Sequence, residues 1–291
     1  MGVGEWFSNF CSALTIRDLT VSARYKRITK RLNIEYYNSE SEINHSLYVG
    51  SYGRNTAINS TSDFDVLFQL PVELYHRFNE YKSNGQSALL QDVKTKIEKT
   101  YPGTRIKADG QVIVIPFYDG ITFELLPAFI NKDGHSYTYP NANDGGSWKV
   151  TDPKSEQEAI AIRNKNTNGN LIRLCRMMRS WKNKNNVLID GILIDTLAYN
   201  FIDMWEYKDK SFIYYDWMSK DFFKYLLNID HNQSYWYAPG SRMLVAKSGA
   251  FQHKAKQAYT TALQAIENAN AGYEYTAKSN WREIYGTDFP A

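Results

Sequence analysis

The sequence has few cysteines, few histidines and no long apolar run. Its two cysteines, Cys11 and Cys175, each lie inside an apolar helical pattern, which excludes a disulfide-stapled fold and predicts two structural thiols in a reducing compartment. The five histidines lack metal-ligand spacing to one another or to cysteine, which argues against a structural zinc site. We recognise no signal peptide and no stretch of membrane-spanning length, so we expect a cytoplasmic protein without a membrane partner.

A strong net charge is also absent. The 34 basic and 31 acidic residues give a formal net charge of +3, which is too balanced for an obligate binder of duplex nucleic acid. Because a local basic groove is compatible with this balance, a nucleotide-sized anion is the more natural partner. At 291 residues the chain can bury a core large enough to fold without disulfides or a structural metal.

Apolar periodicity divides the chain into an α/β half and a helical half. The first half carries helical and strand patterns in alternation, over residues 6–32, 46–49, 64–70, 86–100 and a β-meander at 109–126. Turn-forming residues crowd 139–153, after which the pattern predicts helices over 171–182, 191–207, 220–227 and 252–269. We therefore predict an α+β fold with domains 1–150 and 151–291 and a cleft between them.

Two aspartates interrupt an apolar strand in the segment SDFDVLFQL. Asp63 and Asp65 are two residues apart, so both project from one face while Phe64 and Val66 pack behind them. Paired carboxylates inside an apolar run are costly unless a cation compensates them. A few carboxylates, with the remaining coordination left to phosphate and water, are typical of magnesium at phosphoryl-transfer sites. The strand therefore predicts a site for Mg²⁺, with Mn²⁺ as the substitute ion.

A second ion needs a further carboxylate, and a phosphate needs a place to approach. Glu124 interrupts the later strand ITFELL, whereas Asp119 lies in the turn before it. We favour Glu124, because a strand carboxylate there can bridge to a metal and take the proton from an attacking hydroxyl. Gly50 and Ser51 end an earlier strand and open a short helix, where converging N–H groups and the missing glycine side chain admit a phosphate.

The joint arrangement of these features resembles the nucleotidyltransferase superfamily of DNA polymerase β. The segments GSYGRNTAINSTSDFDVLF, DGQVIVIPFYDGITFELLPAF, GGSWKVTDP, LIRLCRMMRSWK and GILIDTLAY look like the bacterial second-messenger oligonucleotide or dinucleotide synthetases, the cGAS/DncV-like CD-NTases. This resemblance implies a polymerase β-like core followed by a helical domain. It also implies a metal-binding triad of Asp63, Asp65 and Glu124 and a triphosphate-binding turn at Gly50 and Ser51. Glutamate stands where the family more often has aspartate.

The resemblance also implies an activity. It predicts two-metal synthesis of a cyclic dinucleotide or trinucleotide from nucleoside triphosphates (ATP, GTP or a pyrimidine triphosphate), with release of pyrophosphate, in anti-phage (CBASS) signalling. One alternative is transfer of a nucleotide to RNA or to a protein. Another is a catalytically silent sensor of nucleotides or RNA, although a sensor has no reason to keep a repulsive cluster of three acids.

A basic stretch marks the second half. Between Glu158 and Asp190 there is no acidic residue, yet seven basic ones occur: Arg163, Lys165, Arg173, Arg176, Arg179, Lys182 and Lys184. Because like charges at helical spacing repel, we expect either an anionic partner or a solvated basic face. The family pattern places the basic residue just before the tryptophan of this helix on the donor triphosphate. Here that residue is Arg179, and Lys182 is the next candidate.

Aromatic side chains offer stacking platforms for a base. Tyr118, Trp148, Tyr235 and Trp236 lie in polar or turn-rich contexts, and the sequence does not choose among them. For each of them the alternative is a ring packed under a loop.

The last segment, KSNWREIYGTDFPA, carries apolar residues that can dock on the body. We expect Trp281, Ile284 and Tyr285 to do so and Gly286 to Ala291 to form a short free tail. The segment resembles the tails of synthetases whose operons encode ubiquitin-activating-like and conjugating-like enzymes. By that resemblance Ala291 is a conjugation point for a ubiquitin-transfer-like partner; the alternative is a frayed end.

Overall fold

A computed structural model describes residues 2–16 and 19–291 and divides into two compact units. The sheet unit comprises Arg17–Gly53 and Thr61–Ser155. The helical unit comprises Met1–Ile16, Arg54–Ser60 and Glu156–Ala291. Among the described helices, none has the length and apolar character needed to cross a membrane.

A mixed sheet forms the centre of the sheet unit. Its strands are β1 (Ser46–Tyr48), β2 (Asp63–Gln69), β3 (Lys107–Asp109), β4 (Val112–Pro116), β5 (Thr122–Ile130), β6 (Tyr137–Asn141) and β7 (Ser147–Thr151). Five of them lie in the order β1-β2-β5-β4-β3, while β6 pairs with the end of β5 and β7 with β6. Strands β2 and β5 are parallel and the other pairs are antiparallel. The predicted meander is present as β3, β4 and β5.

Helices cover one face of this sheet. They are α2 (Leu19–Tyr37), α3 (Gly50–Gly53), α4 (Val72–Asn79) and α5 (Gly85–Glu98). Phe64, Val66 and Phe68 of β2 share a buried core with apolar residues of α2 and α5, including Leu32 and Leu89. Since side chains alternate along a strand, the polar positions of β2 project from the opposite face.

The helical unit contains the remaining helices and a hairpin. The helices are α1 (Val3–Ala13), most of α6 (Pro153–Asn166), α7 (Asn170–Asn185), α8 (Gly191–Met204), α9 (Tyr215–Leu227), α10 (Gln252–Asn270) and α11 (Glu274–Tyr285). The hairpin pairs β8 (Tyr235–Tyr237) with β9 (Leu244–Ala246). Sheet and helices together confirm the predicted fold class.

The division between the units differs from the boundary at residue 150 that the sequence suggested. Helix α1 groups with the helical unit because Phe7 and Phe10 are fully buried there against Tyr285 and Phe289. The turn-rich segment 139–153 is largely a β-hairpin, in which β6 and β7 pair on either side of a turn.

The end of the described chain is docked. Phe289 is fully buried, with its ring centroid 5.2 Å from those of both Phe7 and Phe10. The expectation of a free tail from Gly286 is therefore wrong, because an aromatic anchor lies two residues before Ala291. Burial of a phenylalanine outweighs the freedom of a short polar segment.

Candidate active site

Two neighbouring strands bring acidic side chains to one face of the sheet. In the parallel register of β2 and β5, Asp65 lies opposite Glu124 and Asp63 opposite Thr122. The alternate positions, Phe64 and Phe123, are buried on the other face. The alternation predicted from SDFDVLFQL therefore places Asp63, Asp65 and Glu124 on a common surface, which we call the acid face.

The acid face is electrostatically strained. Partial burial raises the pKa of Glu124, and the negative charges of Asp65, Asp63 and Asp109 raise it further. Asp109, at the end of β3, was not singled out from the sequence, because its place in an Asp-Gly turn gave it a structural explanation. A carboxyl pKa raised by neighbouring negative charges indicates a site that a cation would stabilise.

Position 50 has room for glycine only, because the side chain of Asp65 lies directly beside it. The φ of Gly50 is +60°, and a Cβ placed on it would lie 1.8 Å from Oδ2 of Asp65. The backbone N–H of Val49 donates to the carbonyl oxygen of Asp65 at 2.9 Å, which fixes the turn against β2. Ser51 follows within α3, so the Gly-Ser turn and the acid face adjoin. Only glycine leaves this space open.

The residues present fit a divalent ion with oxygen ligands. In the described ranges, no three acidic, histidine or cysteine side chains lie close enough to hold an ion unaided. Magnesium is commonly bound by one or two carboxylates together with phosphates and water. The hard oxygens of Asp63, Asp65 and Glu124, and the open space that Gly50 leaves beside Asp65, match that mode.

The competing acid, Asp119, has a different partner. Arg24 donates to both of its carboxylate oxygens, at 3.1 and 2.7 Å. This hydrogen-bonded pair lowers the pKa of Asp119. Its charge is already neutralised within the sheet unit, which favours Glu124 as the third acid.

Arg179 lies in a buried ion pair in the helical unit. Both of its terminal nitrogens donate to the carboxylate of Asp195 on α8, and one of them also donates to the carbonyl oxygen of Gly191 at 3.1 Å. The basic stretch is therefore offset in part by an acid of the protein itself. Lys182, one turn's distance along α7, is half-buried and forms no ion pair or side-chain hydrogen bond with a described residue. Of the two predicted basic residues, Lys182 is therefore the one whose charge is not already paired.

Sequence analysis missed a second arginine in this network. Arg54 is buried and donates from Nε to Asp195 at 2.9 Å and from Nη1 to Glu156 at 3.0 Å. Burial raises the pKa of Asp195, but the two arginine charges outweigh it and hold that pKa below its usual range. The available signal was the position of Arg54, three residues after Ser51.

The four aromatic candidates have different environments. Tyr118 is almost fully exposed, and Trp148 donates its Nε1–H to Asn79 at 2.9 Å. Tyr235 is half-exposed on β8, whereas Trp236 is buried. Trp236 is therefore a core residue, and Tyr235 keeps a ring face that a ligand can reach.

Comparison with known families identifies the chain. The sequence model of the Second Messenger Oligonucleotide or Dinucleotide Synthetase domain matches residues 1–164, more than half of the chain. The chain belongs to this synthetase family. The prediction drawn from the sequence motifs is thereby confirmed, and residues 1–164 contain the whole acid face and the Gly-Ser turn.

Two curated proteins are similar to this chain in sequence. A probable cyclic nucleotide synthase of Bacillus cereus (strain VD146) is 23% identical over 195 residues, which cover 64% of this chain and 56% of that relative. The cyclic AMP-AMP-AMP synthase of an Acinetobacter species is 24% identical over 281 residues, or 90% of this chain and 78% of the relative. The chain thus aligns with little more than half of the Bacillus relative's length.

Solved structures share the fold of this chain. CdnC of E. coli MS115-1, determined with ATP, has a TM-score of 0.67 at 14% identity and covers 99% of both chains. The CD-NTase CdnG of Bradyrhizobium diazoefficiens, determined with GTP, has a TM-score of 0.65 at 11% identity over 98% of this chain and 95% of CdnG. The fold is thus that of the CD-NTases.

Proposed function

We propose that this synthetase joins nucleoside triphosphates into a cyclic dinucleotide or trinucleotide, with release of pyrophosphate, in anti-phage signalling. The observation that carries the proposal is the acid face, where Asp65 and Glu124 lie in register beside the space that Gly50 leaves open. Family membership supports it, as do the two curated relatives, a probable cyclic nucleotide synthase and a cyclic AMP-AMP-AMP synthase.

The residues of the acid face have distinct roles in this proposal. Asp63, Asp65 and Glu124 would hold two magnesium ions, which supply activation of an attacking hydroxyl and neutralisation of the pyrophosphate. The raised pKa of Glu124 makes its carboxylate a better proton acceptor near neutral pH, so we assign it the proton of the attacking hydroxyl. The backbone N–H groups of Gly50 and Ser51 orient the triphosphate.

Basic residues of α7, in the helical unit, are proposed separately as ligands of phosphate. Lys182 is our first choice for a contact with the donor triphosphate, because its charge is not already paired among the described residues. Arg179 is the second, since it must share its donors with Asp195. This order reverses the one suggested by the family pattern.

Product analysis tests the proposal against its alternatives. Purified protein is incubated with the four triphosphates and MgCl₂, with and without EDTA, and phosphatase-resistant products are identified by mass spectrometry. We expect a cyclic product from the native protein and none from the Asp63→Asn/Asp65→Asn variant. The matched control is Asp144→Asn, which changes an exposed acid of the sheet unit outside the acid face.

Each alternative gives a different result. Label transferred to added RNA or to the protein itself would favour an RNA or protein nucleotidyltransferase. Nucleotide binding without any product from the native protein would favour a silent sensor. Equal product from the native protein and from the Asp63→Asn/Asp65→Asn variant would remove the acid face from the mechanism.

Conjugation at Ala291 remains a prediction, and the structure sets a condition on it. An extended tail must enter an adenylating enzyme, but Phe289 is fully buried two residues earlier. In this proposal a conjugating partner therefore has to extract Phe289 from its aromatic surroundings before Ala291 reaches an active site.

A further inference from the structure

A cavity of about 410 Å³ opens in the helical unit beside the β8–β9 hairpin. That volume is in the range of small-molecule sites. Neither the acid face nor the Gly-Ser turn contributes to its lining, which combines amides, tyrosines and one arginine: Asn200, Asn232, Gln233, Tyr235, Tyr237 and Arg242.

The hairpin presents a corner of two aromatic rings to this cavity. Tyr235 and Tyr237 flank the buried Trp236, so both project from the outer face of β8, where they are 50% and 46% exposed. Their ring centroids are 5.8 Å apart and their planes are inclined by 81°. Two nearly perpendicular rings can contact the face and the edge of one planar ligand.

The polar groups around the corner have few partners. The side-chain amides of Asn200 and Asn232 form no hydrogen bond with the described residues. Arg242 forms no ion pair with them, and its guanidinium carbon lies 4.7 Å from the ring centroid of Tyr237. An amide presents a donor and an acceptor side by side, and an unpaired guanidinium attracts phosphate.

The turn between β8 and β9 holds the backbone of Arg242 in a sterically unfavourable conformation at the cavity. Arg242 has a φ of +58°, a conformation unfavourable for a residue with a side chain. The turn is fixed by the hydroxyl of Ser241, which donates to Glu156 at 3.2 Å, and by the N–H of Ala238, which donates to the carbonyl oxygen of Met243 at 2.8 Å. Strained backbone maintained by surrounding bonds is typical of functional positions.

We propose that this cavity binds an adenine nucleotide, with the base on the tyrosine corner and the phosphate at Arg242. Asparagine and glutamine amides match the adjacent N6 donor and N7 acceptor of adenine. Among the described residues that line the cavity none is acidic, so a phosphate meets no like charge from them. The site is separate from the proposed chemistry and does not depend on it. The adenine can belong to a free nucleotide or to single-stranded RNA.

Binding of AMP to the full-length protein tests this site. Calorimetry is performed in EDTA on the Asp63→Asn/Asp65→Asn variant, so that metal-dependent binding at the acid face is removed. We expect AMP to bind, and Tyr237→Ala to weaken it about tenfold or more, because stacking on an aromatic ring contributes strongly to the binding of a base. Tyr275→Ala is the matched control, since Tyr275 is an 84% exposed tyrosine of the same unit outside this cavity.

Specificity and location are measured in parallel. We expect GMP to bind at least about tenfold more weakly than AMP, and photolabelling with 8-azido-AMP to modify residues 231–243. Oligo(A) that binds more tightly with increasing length would assign the adenine to RNA, and equal binding would assign it to the free nucleotide; both results support the site. No AMP binding, equal AMP and GMP binding, or no effect of Tyr237→Ala would overturn it, whatever the synthetase assay shows.

Discussion

At the scale of single residues, Glu124 is held in an unfavourable charge state. Burial and three neighbouring acids raise its pKa, so the folded protein loses stability as the pH rises through that pKa. Glu124→Gln removes the charge at all pH values. We therefore expect the melting temperature of the variant to equal or exceed that of the native protein, with a larger difference at about pH 8 than at about pH 5 in EDTA.

Activity gives the second measurement for this residue. Glu124→Gln should abolish product formation, because a neutral amide cannot take a proton or bind a divalent ion as a carboxylate does. Asp119→Asn is the matched control and should stay active, since Asp119 is paired with Arg24. An inactive Asp119→Asn alongside an active Glu124→Gln would mean that the wrong acid was chosen.

Gly50 allows a test of close approach separate from backbone strain. Gly50→Ala and Gly134→Ala each place a Cβ at a positive φ, +60° and +77° respectively. Only the Cβ at position 50 meets another group, the carboxylate of Asp65, whereas nothing lies within 4 Å at position 134. Gly134→Ala should lose about 1–2 kcal/mol of stability, and Gly50→Ala at least as much because its Cβ also meets Asp65. Only Gly50→Ala should lose nucleotide binding and activity. Equal activity of the two variants would contradict our account of the Gly-Ser turn.

At the scale of elements, the segment Arg54–Ser60, α7 and α8 meet at one buried carboxylate. Asp195 is fully buried between Arg54 and Arg179 and accepts a further bond from Thr56 at 2.9 Å. Removing its charge leaves two arginines without a full counter-charge. We therefore expect Asp195→Asn to lower the free energy of unfolding by roughly 3–5 kcal/mol.

A control on the same helix makes this measurement specific. Asp203→Asn also removes an arginine partner, Arg163, but Asp203 is more than half exposed. Chemical denaturation should show at most about 1 kcal/mol for this variant. Because the pKa of Asp195 is lowered in the folded state, its contribution is present at neutral pH and is lost as the pH falls through that lowered pKa. Similar losses for the two variants would contradict the buried network.

The elements also show what the sequence could and could not predict. Strand alternation placed Asp63 and Asp65 on one face, because period-2 patterning depends only on neighbouring residues. The network around Asp195 could not be predicted, since it depends on tertiary contacts. Arg179 reaches Asp195 from another helix, and Arg54 lies more than a hundred residues away from it in sequence. For the same reason the boundary at residue 150 assigned α1 to the first domain, whereas α1 groups with the helical unit. Its amphipathic pattern predicts a helix but does not identify its partner.

At the scale of the whole molecule, the helical unit is assembled from separate parts of the chain. Helix α1, the segment Arg54–Ser60 and residues 156–291 contribute to it. Phe289 is fully buried against Phe7 and Phe10 of α1 and against Trp281 and Tyr285 of α11. One aromatic ring near residue 291 therefore connects elements that are far apart in sequence.

Phe289→Ala tests how far this unit depends on that ring. We expect a loss of roughly 3–5 kcal/mol in the free energy of unfolding, because the substitution removes buried aromatic surface and leaves a cavity. We also expect faster proteolysis after Tyr285, since residues 286–291 lose their anchor. Tyr275→Ala, at an 84% exposed position on α11, is the control and should change neither measurement. If Phe289→Ala unfolds and is cleaved like the native protein, residues 286–291 are held by other contacts, and extraction of Phe289 is no barrier to conjugation at Ala291.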